Sequence, residues 1–349
     1  MNLWVFDLDG TLITSGIDYA RAVFRWGLML IDEMRIEAPH YSRAVFRWGL
    51  MLIDEMEHTA PHYEKFIEFL RDIDKERFKT MLGSRQDRLA GSLIEAYREV
   101  CRHAEIQPDP EIEQKSWEIG VVSGPDFLSD LERDPGELLY QKLIDFLRDV
   151  DKVRFKTMRA HRDRFPGSMV EAYRELCRYL EIEPDPAIER KSWEIGTTAL
   201  SEDTYRNRGM MPGAEETLKF LQERGDLLYC VTAGDSVVQW MKWRGYNLRR
   251  FFPSQREYRV VKWDKFPTLQ LLCRIHQDKT VLMVGDSIGS DLVPAAKAGY
   301  RPIYVPHPSV WDHGELVKDA PEGTFQPPDI SQICAYYPYL VRSSERLAS

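Results

Sequence analysis

Short apolar runs alternate with helical patterns in the C-terminal part of the chain, and this alternation limits the possible folds more than any other feature. From Met211 onward the apolar runs are "LLYCVT" (227–232), "YRVV" (258–261), "VLMVG" (281–285) and "PIYV" (302–305). Runs that are apolar at successive positions are typical of parallel strands buried on both faces. Helical patterns at Ala214–Arg224 and Leu292–Ala298 separate them. We therefore predict an α/β fold with a Rossmann-like, doubly wound parallel sheet, to which residues 3 to 7 add a strand.

The stretch between the first strand and Met211 has a different pattern. Apolar residues recur there at helical spacing, as in "SMVEAYRELCRYLEI" (168–182), and we find no strand-like runs. A chain of 349 residues is long enough for two domains. We therefore predict an α/β core formed by residues 1–14 and 205–349, and an all-α insert formed by residues 15–204.

The insert contains internal repeats. The sequence "RAVFRWGLMLIDEM" at 21–34 recurs letter for letter at 43–56, and with its flanks this unit spans 19–41 and 41–63. A longer unit at 65–120 is similar to 142–196, with "FLRD", "RFKTM", "EAYRE" and "KSWEIG" in common. A solenoid would show several diverged units of one period. Two units with different periods, one of them identical in both copies, favour a recent or engineered duplication within one helical domain.

Composition and charge argue against several classes of protein. The net charge of −9 gives no support for a nucleic-acid surface. The longest apolar run, Trp26 to Ile31, is too short to span a bilayer. The five cysteines have no paired spacing, which argues against a disulfide framework and a zinc site. The N-terminus has no signal-peptide pattern. We therefore expect a cytoplasmic protein that binds neither nucleic acid nor membrane.

The ends of the predicted strands carry acidic, hydroxyl and lysine side chains. They are Asp7 and Asp9 after the first strand, Thr232 at the end of "LLYCVT", Lys262 and Lys265 after "YRVV", and Asp286 and Asp291 after "VLMVG". Ligands of open parallel sheets bind outside the carboxyl ends of the strands, so we expect these side chains to converge. Clustered carboxylates repel each other and need compensation. Oxygen ligands without a nearby histidine favour Mg²⁺ over zinc.

The motifs at these strand ends resemble those of a known family. "DLDGTL" (7–12), a threonine that ends the next core strand, a lysine, and "GDSIGSD" (285–291) are similar to the four motifs of the haloacid dehalogenase superfamily. The resemblance covers about residues 1–14 and 205–349. It implies that Asp7 is a nucleophile that forms an aspartyl-phosphate. It also implies that Asp9 first protonates the leaving oxygen and then activates water. Members that cleave carbon–halogen bonds do not keep an acid at the position of Asp9, so its presence favours phosphoryl transfer.

The resemblance also implies a set of metal ligands. Asp7, the backbone carbonyl of Asp9, and Asp286 match the positions that hold Mg²⁺ in the family. Asp291 matches a supporting acid or a ligand that binds through water. We therefore expect Mg²⁺ as the cofactor, with these four aspartates as its metal-binding residues.

Phosphate binding is implied for the end of the second core strand. Thr232 matches a phosphate-binding hydroxyl, and the backbone of Ala233 and Gly234 follows it. Gly10 permits a close approach of the backbone, and Gly234 is a second candidate for this role.

Two lysines compete for the role of neutralising the nucleophile and the phosphoryl group. "DKFPTLQLL" (264–272) resembles the family's Lys-x-Pro pattern before a helix, which favours Lys265 as the catalytic and substrate-binding lysine. Lys262, at the end of the strand itself, is the alternative.

The resemblance implies a function for the whole chain. A helical insert after the first motif is a cap in this family, where it closes over the active site and selects the substrate. We expect Mg²⁺-dependent hydrolysis of a small phosphorylated metabolite through phospho-Asp7. A phosphomutase with the same intermediate and a scaffold with a blocked site are the alternatives, and a homodimer or swapped oligomer through the cap stays open.

Overall fold

The computed structural model describes most of the chain in two compact units. One unit consists of Met1–Ser15 and Ser201–Ser349, and the other of Gly16–Leu200. The described residues are 1–14, 17–34, 40–56, 68–70, 72–73, 85–104, 106–122, 139–158, 161–206, 208–306 and 319–341.

A parallel five-stranded sheet forms the centre of the first unit, with strand order β3-β2-β1-β4-β5. The strands are β1 (Leu3–Phe6), β2 (Leu227–Ala233), β3 (Tyr258–Val261), β4 (Val281–Gly285) and β5 (Arg301–Tyr304). The predicted α/β class with a Rossmann-like parallel sheet is therefore confirmed. The apolar runs coincide with the strands, apart from shifts of one residue at a few ends.

Strand β1 shows why the runs are apolar at every position. All four of its residues are buried. Trp4 and Phe6 pack into one core, whereas Leu3 and Val5 pack into a second core on the opposite side of the sheet. Successive side chains of a strand point to opposite faces, so a strand covered on both faces must be apolar throughout.

Helices surround the sheet in this unit. They are α8 (Glu202–Arg206), α9 (Ala214–Glu223), α10 (Ser236–Gly245), α11 (Phe266–Ile275), α12 (Val293–Lys297) and α13 (Ile333–Leu340), and a π-helical turn, Ile288–Leu292, precedes α12. Helix α8 begins at Glu202, and its first residues therefore fall in the segment that we expected to belong to the insert. It belongs to the α/β unit because Tyr205 stacks on Tyr246 at 5.8 Å and Arg244 donates to Glu202 at 2.6 Å.

In the unit of residues 16–200, every regular element within the described ranges is a helix. Its helices are α1 (Ile17–Glu33), α2 (His40–Met56), α3 (Arg85–His103), α4 (Pro110–Val122), α5 (Leu139–Met158), α6 (Arg164–Tyr179) and α7 (Pro186–Thr198). Over the part of the chain that the structure describes, no helix is long and apolar enough to cross a membrane.

The two copies of the short repeat form helices α1 and α2, which pack against each other through the same contact made twice. Arg21 donates to Asp54 at 2.5 Å, and Arg43 donates to Asp32 at 2.5 Å. Arg43 and Asp54 are the copies of Arg21 and Asp32, so the two ion pairs are equivalent. The interface therefore has the reciprocity of a two-fold contact, although both helices belong to one chain.

Glycines allow the close approach of α1 and α2. A Cβ atom on Gly27 would lie 2.4 Å from the ring of Phe46, and one on Gly49 would lie 2.5 Å from the ring of Phe24. Phe46 and Gly49 are the copies of Phe24 and Gly27. Any larger residue at either glycine would force these helices apart.

The long repeat follows the same two-fold relationship. The indole of Trp26 donates to Ser192 at 2.8 Å, and the indole of its copy Trp48 donates to Ser116 at 3.1 Å. Helix α1 therefore pairs with α7, which comes from the second copy of the long repeat, and α2 pairs with α4 from the first. Each copy has its own equivalent site, so the identical segments do not compete for one position.

Candidate active site

A buried lysine joins two aspartates at the carboxyl end of the sheet. The ammonium nitrogen of Lys265 lies 2.5 Å from Asp7 Oδ1 and 2.6 Å from Asp291 Oδ1. All three side chains are buried. Burial opposes the charged form of the lysine, but the two carboxylates outweigh this effect, and the pKa of Lys265 is raised. The lysine is therefore a fixed positive charge beside Asp7.

Local sequence explains how these residues meet. The Asp7 N–H donates to the carbonyl oxygen of Val284 at 2.9 Å, which fixes the end of β1 beside the end of β4. Lys265 is the residue just before α11, whose first turn contains Pro267. Proline fits the first turn of a helix because that turn needs no N–H from it.

Three aspartates form a cluster that can hold a metal ion. Asp7, Asp286 and Asp291 each offer a carboxylate oxygen, and these oxygens lie within 4.8 Å of one another. Burial raises the pKa of Asp7 to about 7, and repulsion from Asp291 adds to the shift, while Lys265 opposes it. Burial and repulsion from Asp291 and Asp7 also raise the pKa of Asp286 well above its usual value. Lys265 can balance the charge of only one of the three carboxylates, so the ionised cluster carries excess negative charge. Its donor atoms are all oxygens, and such a set fits a hard divalent cation such as Mg²⁺.

The glycines of the two acidic motifs make room for the acids. Gly10 has a φ of 80°, and a Cβ atom there would lie 2.2 Å from Asp286 Oδ2. At Gly285, a Cβ atom would lie 2.5 Å from the Cβ of Asp291. The close approach at Gly10 is made to an acid of the cluster. The need for glycine at 285 was not predicted from the sequence.

Hydrogen bonds from the chain orient Asp286 and Asp291. The hydroxyl of Thr11 donates to Asp286 Oδ1 at 3.2 Å. Asp291 lies in the π-helical turn, and its Oδ2 accepts the Ser287 N–H at 3.0 Å. Since Lys265 occupies its other oxygen, Asp291 is held by protein groups on both sides. This is the geometry of a supporting acid.

The side chain of Asp9 lies apart from the three-acid cluster. Lys242 donates to Asp9 Oδ1 at 2.5 Å, and the Gln239 amide donates to Asp9 Oδ2 at 3.0 Å. Neither Gln239 nor Lys242 was predicted as a site residue. The two residues lie three apart on the helix that follows the Thr232 strand, which places them on one face, but this spacing alone does not point to Asp9.

The predicted phosphate-binding segment lies at the end of β2. Thr232 is buried in the strand, opposite Val260 of β3. The Gly234 N–H donates to the carbonyl oxygen of Val261 at 2.9 Å. Pairing with β3 therefore continues one residue past β2 and occupies the Gly234 N–H. The carbonyl oxygen of Ala233 accepts the Gln239 amide at 3.2 Å.

The other candidate residues are placed away from the cluster. Lys262 is exposed, so Lys265 is the lysine that contacts Asp7. Trp240 and Trp243 pack on Tyr258, with ring centroids 5.0 Å and 6.4 Å away. His307, a loop histidine in the sequence, lies outside the described residues.

Several solved structures that match this chain are named as haloacid dehalogenase-like hydrolases or as dehalogenases. No family model and no curated protein matches the sequence. A haloacid dehalogenase-like hydrolase from Xanthomonas campestris is 16% identical, with 98% of this chain and 92% of that chain covered and a TM-score of 0.38. A HAD-hydrolase from Bacillus subtilis, described as bound to magnesium, is 18% identical, with 60% and 88% covered and a TM-score of 0.36.

A dehalogenase described as an intermediate complex is also similar in structure. It is 13% identical, with 98% of both chains covered and a TM-score of 0.38. At these identities and scores, the similarities carry no conclusion about the reaction. That question depends on the side chains at the carboxyl end of the sheet.

Proposed function

We propose that this chain is a Mg²⁺-dependent phosphatase of the haloacid dehalogenase superfamily that hydrolyses a small phosphomonoester through a phospho-aspartate at Asp7. The observation that carries the proposal is the buried Lys265 between Asp7 and Asp291, with the carboxylate of Asp9 held separately. A nucleophile needs a stabilising positive charge, and a proton donor needs a position of its own.

The proposed roles follow from the chemistry of each side chain. The carboxylate of Asp7 attacks phosphorus, and the bond from phosphorus to the ester oxygen breaks. Asp9 gives its proton to the departing oxygen. Asp9 then takes a proton from water as that water attacks phosphorus, which releases phosphate and restores Asp7. The ammonium of Lys265 stays beside the reacting oxygen of Asp7 throughout.

The metal proposal rests on the donor set of the three-acid cluster. Asp7, Asp286 and the backbone carbonyl of Asp9 would hold Mg²⁺, and Asp291 would support them from its contacts with Lys265 and Ser287. When bound, the ion would offset the negative charge of the acids and of the phosphate. Thr232, at the end of β2, is the proposed phosphate-binding hydroxyl.

Phosphate transfer is favoured over dehalogenation by Asp9. An alkoxide leaving group must be protonated as it departs, whereas a halide leaves as a stable anion and needs no acid. Asp9 is an acid whose carboxylate two side chains hold in place. A site for carbon–halogen cleavage would have no use for it.

The experiment is an assay of the purified chain with 4-nitrophenyl phosphate, with and without Mg²⁺. We expect turnover that requires the metal and that falls at least about a thousandfold in Asp7→Asn, because an amide is a poor nucleophile. Asp278→Asn is the matched control, since Asp278 is exposed and its carboxylate forms an ion pair with the neighbouring Lys279. Turnover that persists in Asp7→Asn would contradict the phospho-aspartate.

A further inference from the structure

The carboxylate of Asp9 is held on both oxygens by one helix. Lys242 donates to Oδ1 at 2.5 Å, and Gln239 donates to Oδ2 at 3.0 Å. Both side chains belong to α10, and they are more buried than Asp9 itself. The exposed fraction is 13% for the Lys242 side chain and 27% for the Asp9 side chain. Gln239 is 4% exposed.

Hydrogen bonds at its N-terminus and near its middle hold helix α10, which carries these two residues, in place. Asp235 caps its N-terminus by accepting the N–H groups of Val237 at 2.9 Å and Val238 at 3.3 Å. The hydroxyl of Tyr258 donates to the backbone carbonyl of Gln239 at 2.8 Å. An anchored helix holds residues three apart in a fixed relationship. We call the side chains of Lys242 and Gln239 the Asp9 clamp. Because the backbone of α10 is fixed, only these two side chains can move relative to Asp9.

The orientation of the Gln239 amide is determined by its surroundings. Its nitrogen donates to Asp9 Oδ2 and also to the carbonyl oxygen of Ala233, at 3.2 Å. The reversed amide would bring an oxygen against these two acceptors. The observed orientation leaves Gln239 Oε1 buried, and within the described residues it has no hydrogen-bond donor. A buried unpaired oxygen is unfavourable, so the contact with Asp9 is made at the expense of stability.

Lys242 is held in place from a second direction. Its ammonium nitrogen lies 5.9 Å from the ring centroid of Tyr205, which stacks on Tyr246. A lysine side chain normally samples many rotamers in solvent. Here the ring and the carboxylate restrict it, and Asp9 gains a rigid partner.

We propose that Lys242 and Gln239 are positioning residues that hold the Asp9 carboxylate in the orientation from which it serves the leaving oxygen. This inference rests on the proposed phosphatase function and adds two residues that the motifs do not contain. Proton transfer depends steeply on geometry, and a carboxylate that rotates freely spends little time in the productive orientation.

The kinetic test compares two leaving groups. A nitrophenolate is a weak base and departs without much help, whereas an alkoxide needs a proton. In Lys242→Ala and in Gln239→Ala, we expect kcat/KM for an alkyl phosphate to fall roughly ten- to a hundredfold more than kcat/KM for 4-nitrophenyl phosphate. The comparison uses kcat/KM because this quantity reports the formation of phospho-Asp7 and not its hydrolysis, which is common to both esters. We expect KM to change much less than kcat. Lys242→Arg should recover part of the loss, because it keeps a charged donor.

The matched control is Arg244→Ala, a basic residue of the same helix whose ion pair is with Glu202. It should lower both rates equally or not at all. An equal loss on both leaving groups in Lys242→Ala would show a general structural role and overturn the inference. A rise in KM that is the same for both esters would also overturn it, because Lys242 would then bind substrate rather than position Asp9.

Crystal structures provide a test that does not depend on turnover. In Lys242→Ala, the backbone should superimpose on that of the unchanged protein, while the Asp9 carboxylate should leave its single orientation. A carboxylate that keeps its position in Lys242→Ala and in Gln239→Ala refutes the clamp even if the protein is an active phosphatase. If the unchanged protein hydrolyses neither ester, the proposed function fails, and the crystallographic result still decides whether the clamp exists.

Discussion

The ammonium nitrogen of Lys265 lies 2.5 Å from a carboxylate oxygen of Asp7, although 258 positions separate the two residues in the chain. The contact joins the end of β1 to the start of α11 across the buried edge of the sheet. Lys265 has a second carboxylate partner in Asp291, and the side chain is only 2% exposed. A lysine buried to this extent is held by its charged partners, because the isolated charge would be strongly disfavoured there.

Replacing Lys265 tests the importance of this contact. Lys265→Ala should lower kcat/KM by roughly two to three orders of magnitude, because the charge beside the nucleophile is lost in a dry site. Lys262→Ala should change it little, since Lys262 is exposed. Steady-state kinetics of the two variants decide the matter. The reverse order of effects would transfer the role to Lys262.

Asp286 and Asp291 should contribute unequally to the affinity of the protein for Mg²⁺. Asp286→Asn should weaken Mg²⁺ binding roughly ten- to a hundredfold or more, because a charged ligand is lost. Asp291→Asn should weaken it less, since both oxygens of Asp291 are already held by Lys265 and Ser287. Calorimetric titration with Mg²⁺ measures both. Equal affinity in Asp286→Asn and in the unchanged protein would exclude Asp286 as a ligand.

The stabilising effect of Mg²⁺ should increase with pH. Folding raises the pKa of Asp7 from 3.8 to about 7, so the folded protein binds this proton more tightly than the unfolded chain does. Without metal, the contribution of Asp7 to stability is therefore complete at low pH and is lost as pH rises through about 7. The raised pKa of Asp286 acts with the same sign.

Protons and Mg²⁺ compete for these carboxylates, so the ion should bind best where the protons have left. We expect the rise in Tm on adding Mg²⁺ to be small near pH 5 and larger near pH 8, as measured by thermal unfolding at constant ionic strength. Asp286→Asn should flatten this dependence. A Tm shift that is the same at both pH values would contradict the assignment of the cluster as the metal site.

A chain with one copy of each repeat should associate into dimers. Removing Ser42–Tyr63 and Arg77–Val153 leaves α1 and one long repeat, in which residues 65–76 of the first copy are joined to residues 154–196 of the second. Helix α1 and this second-copy segment already pack together through Trp26 and Ser192. The face of α1 that α2 covers would then be exposed. We expect two shortened chains to join there, with Arg21 beside Asp32 of the partner subunit. The mass from light scattering should be that of a dimer.

Gly27→Val in the shortened chain is the matched test of this interface. A Cβ atom at Gly27 would lie 2.4 Å from the phenylalanine ring of the facing copy, so the larger side chain should block association. A shortened chain that stays monomeric at about tens of micromolar would contradict the dimer, because a dimer with a dissociation constant of about one micromolar is mostly assembled at that protein concentration.

The sheet could be predicted from the sequence because burial on both faces leaves a local signal. Each strand is a short apolar run, and β3 and β4 were predicted at both ends. The acids Asp7 and Asp286 could be placed as well, since each directly follows such a run. The register of parallel strands then brings them together without further information.

Other features could not be predicted because they depend on contacts between distant segments. The partner of Asp9 on α10 is one example, since a lysine on a helix is far more often exposed than buried. The need for glycine at 285 is another, because it depends on where the π-helical turn places Asp291. The pairing of α1 with α7 is a third. Identical segments are equivalent in sequence, so only the fold distinguishes their partners.

The two-fold contact between α1 and α2 has a consequence for how this protein can evolve. In a homodimer, one mutation alters both halves of the interface at once, and symmetry is preserved. Here Arg21–Asp54 and Arg43–Asp32 are encoded separately, so either ion pair can change while the other keeps the helices together. Covalent linkage also keeps the two halves at high effective concentration whatever the protein concentration. One half of the helical unit is thus free to acquire new side chains while the other preserves the original packing.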